Sequence, residues 1–290
     1  MTERLAEVTA RRQSIDGLRQ VVDAMRSLAA VRQQQAGAAL PGIRAYAGVI
    51  AGALARAVSL LEEPPARWPA TNGTGDGHAA LLTILFTAEH GFVGGFAERL
   101  LAAAGEEAGE LWIVGSRGQV LAEERGIPVG WSAAMATHTD AVLATCRLVA
   151  GAIDERARSG ALRGLQVIYA RTGTGSGTIR REALLPVDLG RLDGHPNRPA
   201  PLTNLEPRRL VERLVDEYLF AQIALAAMES FAAENAARLS VMVSARQNVD
   251  EKLAELVAAE RRLRQEDITN EVIELSAGAF RPAARPRGRA

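Results

Sequence analysis

The sequence predicts an α+β (α/β) fold: a long antiparallel coiled coil of N- and C-terminal helices with an inserted Rossmann-like α/β domain. Three observations predict it. Apolar residues recur at alternating steps of three and four near both ends of the 290-residue chain, which marks helices with a narrow buried seam. Short apolar runs alternate with helical stretches in the middle, the pattern of a small, mostly parallel sheet. Pro- and Gly-rich segments at 62–77 and 190–201 set that middle apart as linkers.

The first element is a helix over about residues 1–60, with Ile15, Leu18, Val22, Met25 and Ala29 on one stripe. Pro41 and nearby glycines predict a kink or short break there. Up to Arg56 this segment holds eight arginines against four acids, so it is distinctly basic. The middle, 78–200, is read as the α/β domain. Its strands are expected at 81–87, 111–114, 166–169 and 183–185, with helices near 93–108, 116–125 and 138–159.

The last helix, 207–280, has the clearer repeat: Leu239, Met242, Arg246, Val249, Leu253, Leu256, Glu260 and Leu263. More than three heptads of this kind argue for a coiled coil, with Arg246 and Glu260 as polar seam residues that can set register. Some 70 residues at 1.5 Å each reach roughly 100 Å, which predicts a rod. The insert returns the chain by reversal, so helices that pair must run antiparallel. The end, 281–290, has four arginines and no acid and reads as a basic disordered tail.

Composition bounds the function. Acidic and basic residues balance at 34 each, and nothing points to nucleic acid. No uninterrupted apolar run approaches the ~18 residues of a membrane helix, and Met1–Leu5 lacks the apolar core of a secretory signal. One cysteine, Cys146, excludes an internal disulfide framework. A soluble intracellular protein is expected, prone to association in isolation through its apolar seams.

The motifs for small-molecule chemistry are missing. A Walker A loop needs a lysine after its last glycine, and the only lysine, Lys252, lies inside the last helix. The loops at Gly73–Gly77 and Gly173–Gly177 lack a strand before and a helix after, so they read as flexible connections. Gly91-Phe92-Val93-Gly94-Gly95 follows the first strand and reads as a tight turn into a packed helix. His78, His90, His138 and His195 are scattered without a second metal ligand nearby. Glu89-His90 has no nucleophile or third member beside it, and Cys146 is read as packing rather than reacting. No catalytic, cofactor or metal residue is assigned.

The residues nonetheless resemble a known family. Val22-Asp23-Ala24-Met25-Arg26-Ser27-Leu28-Ala29-Ala30 is similar to the opening helix of F-type ATP synthase gamma subunits, with Asp23 in place of a lysine. Tyr46 falls on the family's tyrosine. Gly91, Gly94 and Gly95 match its "RGLCGG" turn, where His90, Phe92 and Val93 depart from it. Ile113-Val114-Gly115-Ser116-Arg117-Gly118 resembles "IGSKG", and Leu184-Leu185-Pro186 resembles "LLP". The C-terminal matches are the most specific: Glu234 to Leu239 against "EQAARM", Arg264 to Glu271 against "ARQASITQE", and Glu274 to Ala279 against "EIVSGA". The resemblance covers nearly the whole chain.

It implies a divergent gamma subunit, the central rotor stalk of a rotary ion-translocating ATP synthase, not catalytic by itself and without a cofactor. The implied partners are the catalytic and non-catalytic subunits of the hexamer, the epsilon subunit and the membrane ring, with one copy per complex. The implied place is the cytoplasmic face of a bacterial or archaeal membrane, as a peripheral subunit. By resemblance, Met25, Arg238, Arg264, Gln265 and Thr269 contact the hexamer. Thr203 and Asn204 stand where the family's tyrosine and glutamate meet the ring or its collar, with Glu206 beside them. Two rivals share some of the pattern. A coiled-coil adaptor would have no reason to keep Arg264, Gln265 and Thr269 together, and a nucleotide-binding α/β enzyme would need a phosphate loop.

Overall fold

A computed structural model describes residues 2–63, 67–68, 80–105, 109–159, 162–173, 177–189, 192 and 202–279. The loop Gly73–Gly77, His78, His195, the centre of the loop Gly173–Gly177, most of the two linkers and the tail 281–290 lie outside the described residues. The ends of the chain form helices α1 (Thr2–Val58) and α5 (Pro207–Ala279). Two compact units result, one joining Met1–Arg26 to Met242–Ala290 and the other spanning Ser27–Val241.

In the first unit α1 and α5 pair antiparallel. Val22, Met242, Val249 and Leu256 are buried, and Ile15, Leu253 and Leu263 are half-buried. Three ion pairs cross between the helices: Asp23 with Arg246, Arg19 with Asp250 at 3.2 Å, and Arg12 with Glu260 at 3.3 Å. The two polar interruptions of the α5 seam are therefore both answered from α1. One seam residue differs from expectation, since Leu18 is 48% exposed. The line of α1 that faces α5 runs through Arg12, Ile15, Arg19 and Val22, and this leaves Leu18 one position to the side.

The second unit is built on a five-stranded sheet in the order β4-β3-β2-β5-β6. Its strands are β2 (Ala80–Phe86), β3 (Glu110–Val114), β4 (Trp131–Ala133), β5 (Leu162–Arg171) and β6 (Thr178–Leu185). All neighbours are parallel except β5 and β6, which pair antiparallel. A two-stranded ribbon, β1 (Arg67–Trp68) and β7 (Val187–Asp188), pairs antiparallel. β4 escaped the sequence reading because its three residues form no apolar run.

Helices α2 (Phe96–Ala104) and α3 (Ser116–Glu124) share a core with Leu85, Leu111, Ile113 and Ile168 of the sheet. The alternate strand residues Ile84, Phe86, Trp112, Val114 and Val167 pack with α4 (Val142–Arg158), α1 and α5. This is the two-sided burial that gives parallel strands their continuous apolar runs.

Within this unit α1 passes through Pro41 without a break, so the short break that was one of the two outcomes expected there does not occur. Pro41 removes a single bond, the one to the Gly37 carbonyl. Both residues lie on the exposed side, where water can satisfy that carbonyl. Ala36, Leu40, Ala47 and Leu54 meanwhile stay buried and hold the helix on the core. One 18-residue window of α1 reaches a mean hydropathy of 1.4, the length and composition of a membrane span, with 17% of it buried.

Candidate partner-contact site

Open α/β sheets take ligands beyond the C-terminal ends of their strands, where successive connections diverge. Here β3 and β4 lie to one side of β2 and β5 to the other, so that place lies beyond β2 and β5. The chain's own groups occupy it. Glu89, just after β2, accepts hydrogen bonds from the backbone N–H of Ser116 at 3.1 Å and its hydroxyl at 2.7 Å, and from the N–H of Met135 at 2.7 Å. A helix N-terminus favours an anion, and at α3 that anion is Glu89. The close approach explains two glycines of the 114–118 motif, because a Cβ at Gly115 or Gly118 would collide with Thr87. The Thr87 hydroxyl in turn donates to the carbonyls of Val114 and Gly115, both at 3.1 Å.

Helix α5 closes the same place from the other direction. Arg238, with a side chain only 6% exposed, donates to the carbonyls of His90 at 3.1 Å and Gly91 at 3.4 Å and pairs with Glu234 at 2.5 Å. Ser230 donates to the Phe86 carbonyl at 2.8 Å. Glu229 pairs with Arg44 of α1 and with Arg171, the last residue of β5, at 3.6 Å. Burial pushes the Glu234 carboxyl up, and Arg238 opposes the shift. Arg238 was expected at a partner surface, yet its guanidinium is spent inside the chain. Glu229, Ser230, Glu234, Asn235 and Arg238 are all buried, and sequence reasoning did not single them out as a set. The signal was present, because these five polar residues fall on one side of an alanine-rich helix at steps of one, four, one and three.

The remaining expected contacts lie on outer surfaces. Arg264 is 64% exposed and donates to Glu260 at 3.0 Å, the carboxylate that also holds Arg12. Gln265 and Thr269 are exposed, and the Thr269 hydroxyl donates to the Gln265 carbonyl at 2.8 Å. At helical spacing these three share a side of α5 with Ile268 and Val272, which are 55% and 60% exposed. Apolar groups left open between polar ones mark a surface suited to a partner. Met25 is half-buried beside Val22.

Before α5, Glu206 is the helix cap. Its carboxylate accepts the N–H groups of Arg208 at 3.0 Å and Arg209 at 2.9 Å, and these bonds hold it below the usual carboxylate range. Pro207 takes the first helical position, where a missing N–H costs nothing. Thr203 and Asn204 are exposed, with the Thr203 hydroxyl accepting the N–H of Leu205 at 3.0 Å. Cys146 is buried in the core, and burial pushes its thiol up to about 12. Among the described residues no three His, Cys, Asp or Glu side chains gather as a metal cluster would require.

Comparison with known proteins agrees with this architecture. The family model described as ATP synthase matches residues 4–280. The chain belongs to the ATP synthase gamma family. The ATP synthase gamma chain of Thermobifida fusca is 26% identical over 294 residues, covering 95% of each chain. Among solved structures, a chain of the Euglena gracilis mitochondrial ATP synthase OSCP/F1/c-ring assembly superposes with a TM-score of 0.66, at 13% identity and full coverage of both chains. A chain from the rotor of the same enzyme superposes with a TM-score of 0.62, covering 92% of this chain. At such identities the superpositions speak for the fold. Membership in the gamma family makes the chain a non-catalytic subunit, which accords with a sheet crest occupied by Glu89 and Arg238.

Proposed function

We propose that this chain is the central rotor stalk of a rotary F-type ATP synthase, coupling ion flow through a membrane ring to ATP synthesis or hydrolysis in a catalytic hexamer. Its match to the gamma family over 4–280 carries the reading. The stalk acts as a ligand whose different sides favour different conformations of the catalytic subunits, so each orientation shifts the population at a different site. Its partners are the catalytic and non-catalytic subunits, the epsilon subunit and the ring. Its place is peripheral, on the cytoplasmic face of a bacterial or archaeal membrane.

Arg264, Gln265 and Thr269 are the residues proposed to grip a catalytic subunit, a reading supported by their shared exposed side with Ile268 and Val272. Met25 is proposed to face the catalytic subunits from α1. Thr203, Asn204 and Glu206 stand at the foot, and the outward groups there are Thr203 and Asn204, since Glu206 caps α5. The test is to co-express the chain with its hexamer subunits and measure ATP turnover with and without it. One chain per hexamer, with turnover lowered about tenfold by Arg264→Ala and Gln265→Ala together, is expected. A chain that never enters the hexamer would reduce the family resemblance to ancestry.

A further inference from the structure

A helix resting on a sheet through apolar side chains alone meets little resistance to small shifts, because apolar burial is non-directional. Hydrogen bonds have distance and angle limits, so a helix held by them cannot shift without breaking them. The contact between α5 and the sheet has both parts: Ala227, Met228 and Phe231 pack in the apolar core, and hydrogen bonds fix the crest above it. Ser230 reaches the last carbonyl of β2, Phe86, at 2.8 Å. Two turns further on, Arg238 reaches the carbonyls of His90 at 3.1 Å and Gly91 at 3.4 Å. Glu229 takes Arg171 from the end of β5 at 3.6 Å and Arg44 from α1. Glu234 and Asn235 orient the Arg238 guanidinium, at 2.5 Å and 3.3 Å.

The turn so held is strained. Phe92 has φ +60°, a conformation rare for a bulky residue, and Phe92 is itself exposed. Such a turn persists where its surroundings over-determine it.

We propose that Glu229, Ser230 and Arg238 form a polar grip that locks the sheet crest to α5, so that force on the α/β unit passes to the helix without slip. Resting on the rotor reading, this makes all three positioning residues for coupling and moves Arg238 from the partner surface to the interior of the stalk.

Two measurements test it. In the complete membrane complex, ions pumped per ATP hydrolysed should fall at least threefold for the double variant Ser230→Ala with Glu229→Gln. Ser230→Thr keeps a hydroxyl and should retain most of the ratio. In the isolated chain, amide hydrogen exchange across 87–95 should speed up about tenfold in Arg238→Met and much less in Arg238→Lys. An unchanged pumping ratio in an assembled complex overturns the grip even if exchange rises. Failure of the unsubstituted chain to assemble would sink the rotor reading instead, and unchanged exchange in Arg238→Met would then overturn the grip on its own.

Discussion

The carboxylate of Glu89 sits on the first turn of α3, bonded to both the backbone N–H and the hydroxyl of Ser116 at 3.1 and 2.7 Å. The Met135 N–H adds a third bond at 2.7 Å, so one side chain ties the end of β2 to α3 and to the segment after β4.

Removing it should therefore loosen three segments at once. Glu89→Ala is expected to destabilise the second unit by about 2–3 kcal/mol, the range for losing hydrogen bonds to a charged, partly buried group. Glu89→Gln should lose less, since it keeps an acceptor oxygen. Urea unfolding followed by the fluorescence of the Trp112–Trp131 pair, whose rings lie 5.0 Å apart, reads both. An unmoved midpoint for the alanine variant would contradict the assignment.

Glu110 gives the chain a dependence on acid. Its carboxylate takes two bonds from Arg156, at 2.7 and 2.9 Å, and one from the Trp112 indole at 2.8 Å. The Arg156 bonds, helped by Trp112, hold it below the usual carboxylate range. With the folded value depressed, its contribution is present above the ordinary pKa of 4.5 and lost as pH falls through the lower folded value. The Trp112 indole N–H resonance should therefore titrate below pH 4.5, and Glu110→Gln should abolish the transition.

Alkali tests the opposite sign. All three tyrosines resist ionisation: burial and then Glu217 push Tyr46 up to about 12. Burial and then Glu182 raise Tyr169 and Tyr218 as well. Raised folded values give stability that is full below the ordinary pKa of 10.0 and lost as pH climbs through the folded values. Absorbance at ~295 nm should rise at higher pH in the native chain than in urea, where tyrosine regains its ordinary value near ~10.

The ion pairs of the first unit should respond to salt. Arg246 has partners on both helices, Asp23 and Asp250, the latter at 2.8 Å. Arg246→Ala should consequently lower the helical melting temperature more than Asp23→Ala does. The coupling between the two substitutions, positive in dilute buffer, should vanish near ~1 M salt, where screening acts within about 3 Å. A coupling that survives high salt would assign the pairing to packing instead.

Much of this protein follows from local pattern. The three-four repeats placed α1 and α5, and the apolar runs at 81–87, 111–114 and 166–169 placed the central strands, because burial on two sides favours apolar side chains there and leaves Thr83 and Gln166 to bond each other at 2.7 Å. Each signal is carried by residues close together in the chain. Arg264, Gln265 and Thr269 were named through the family resemblance, and helical spacing is what sets them on one exposed side of α5.

What tertiary structure alone decided depends on groups far apart in sequence. Arg238 looked like a surface arginine until α5 lay over the carbonyls of His90 and Gly91. Glu89 had no assigned role until α3 brought Ser116 to it. Arg19, and not Leu18, faces α5 because Asp250 waits there. Pro41 fails to break α1 because the core under Leu40 and Ala47 outweighs one lost hydrogen bond. A polar side chain carries no mark of its partner, and whether it faces solvent or seals an interior is settled only when the distant backbone arrives.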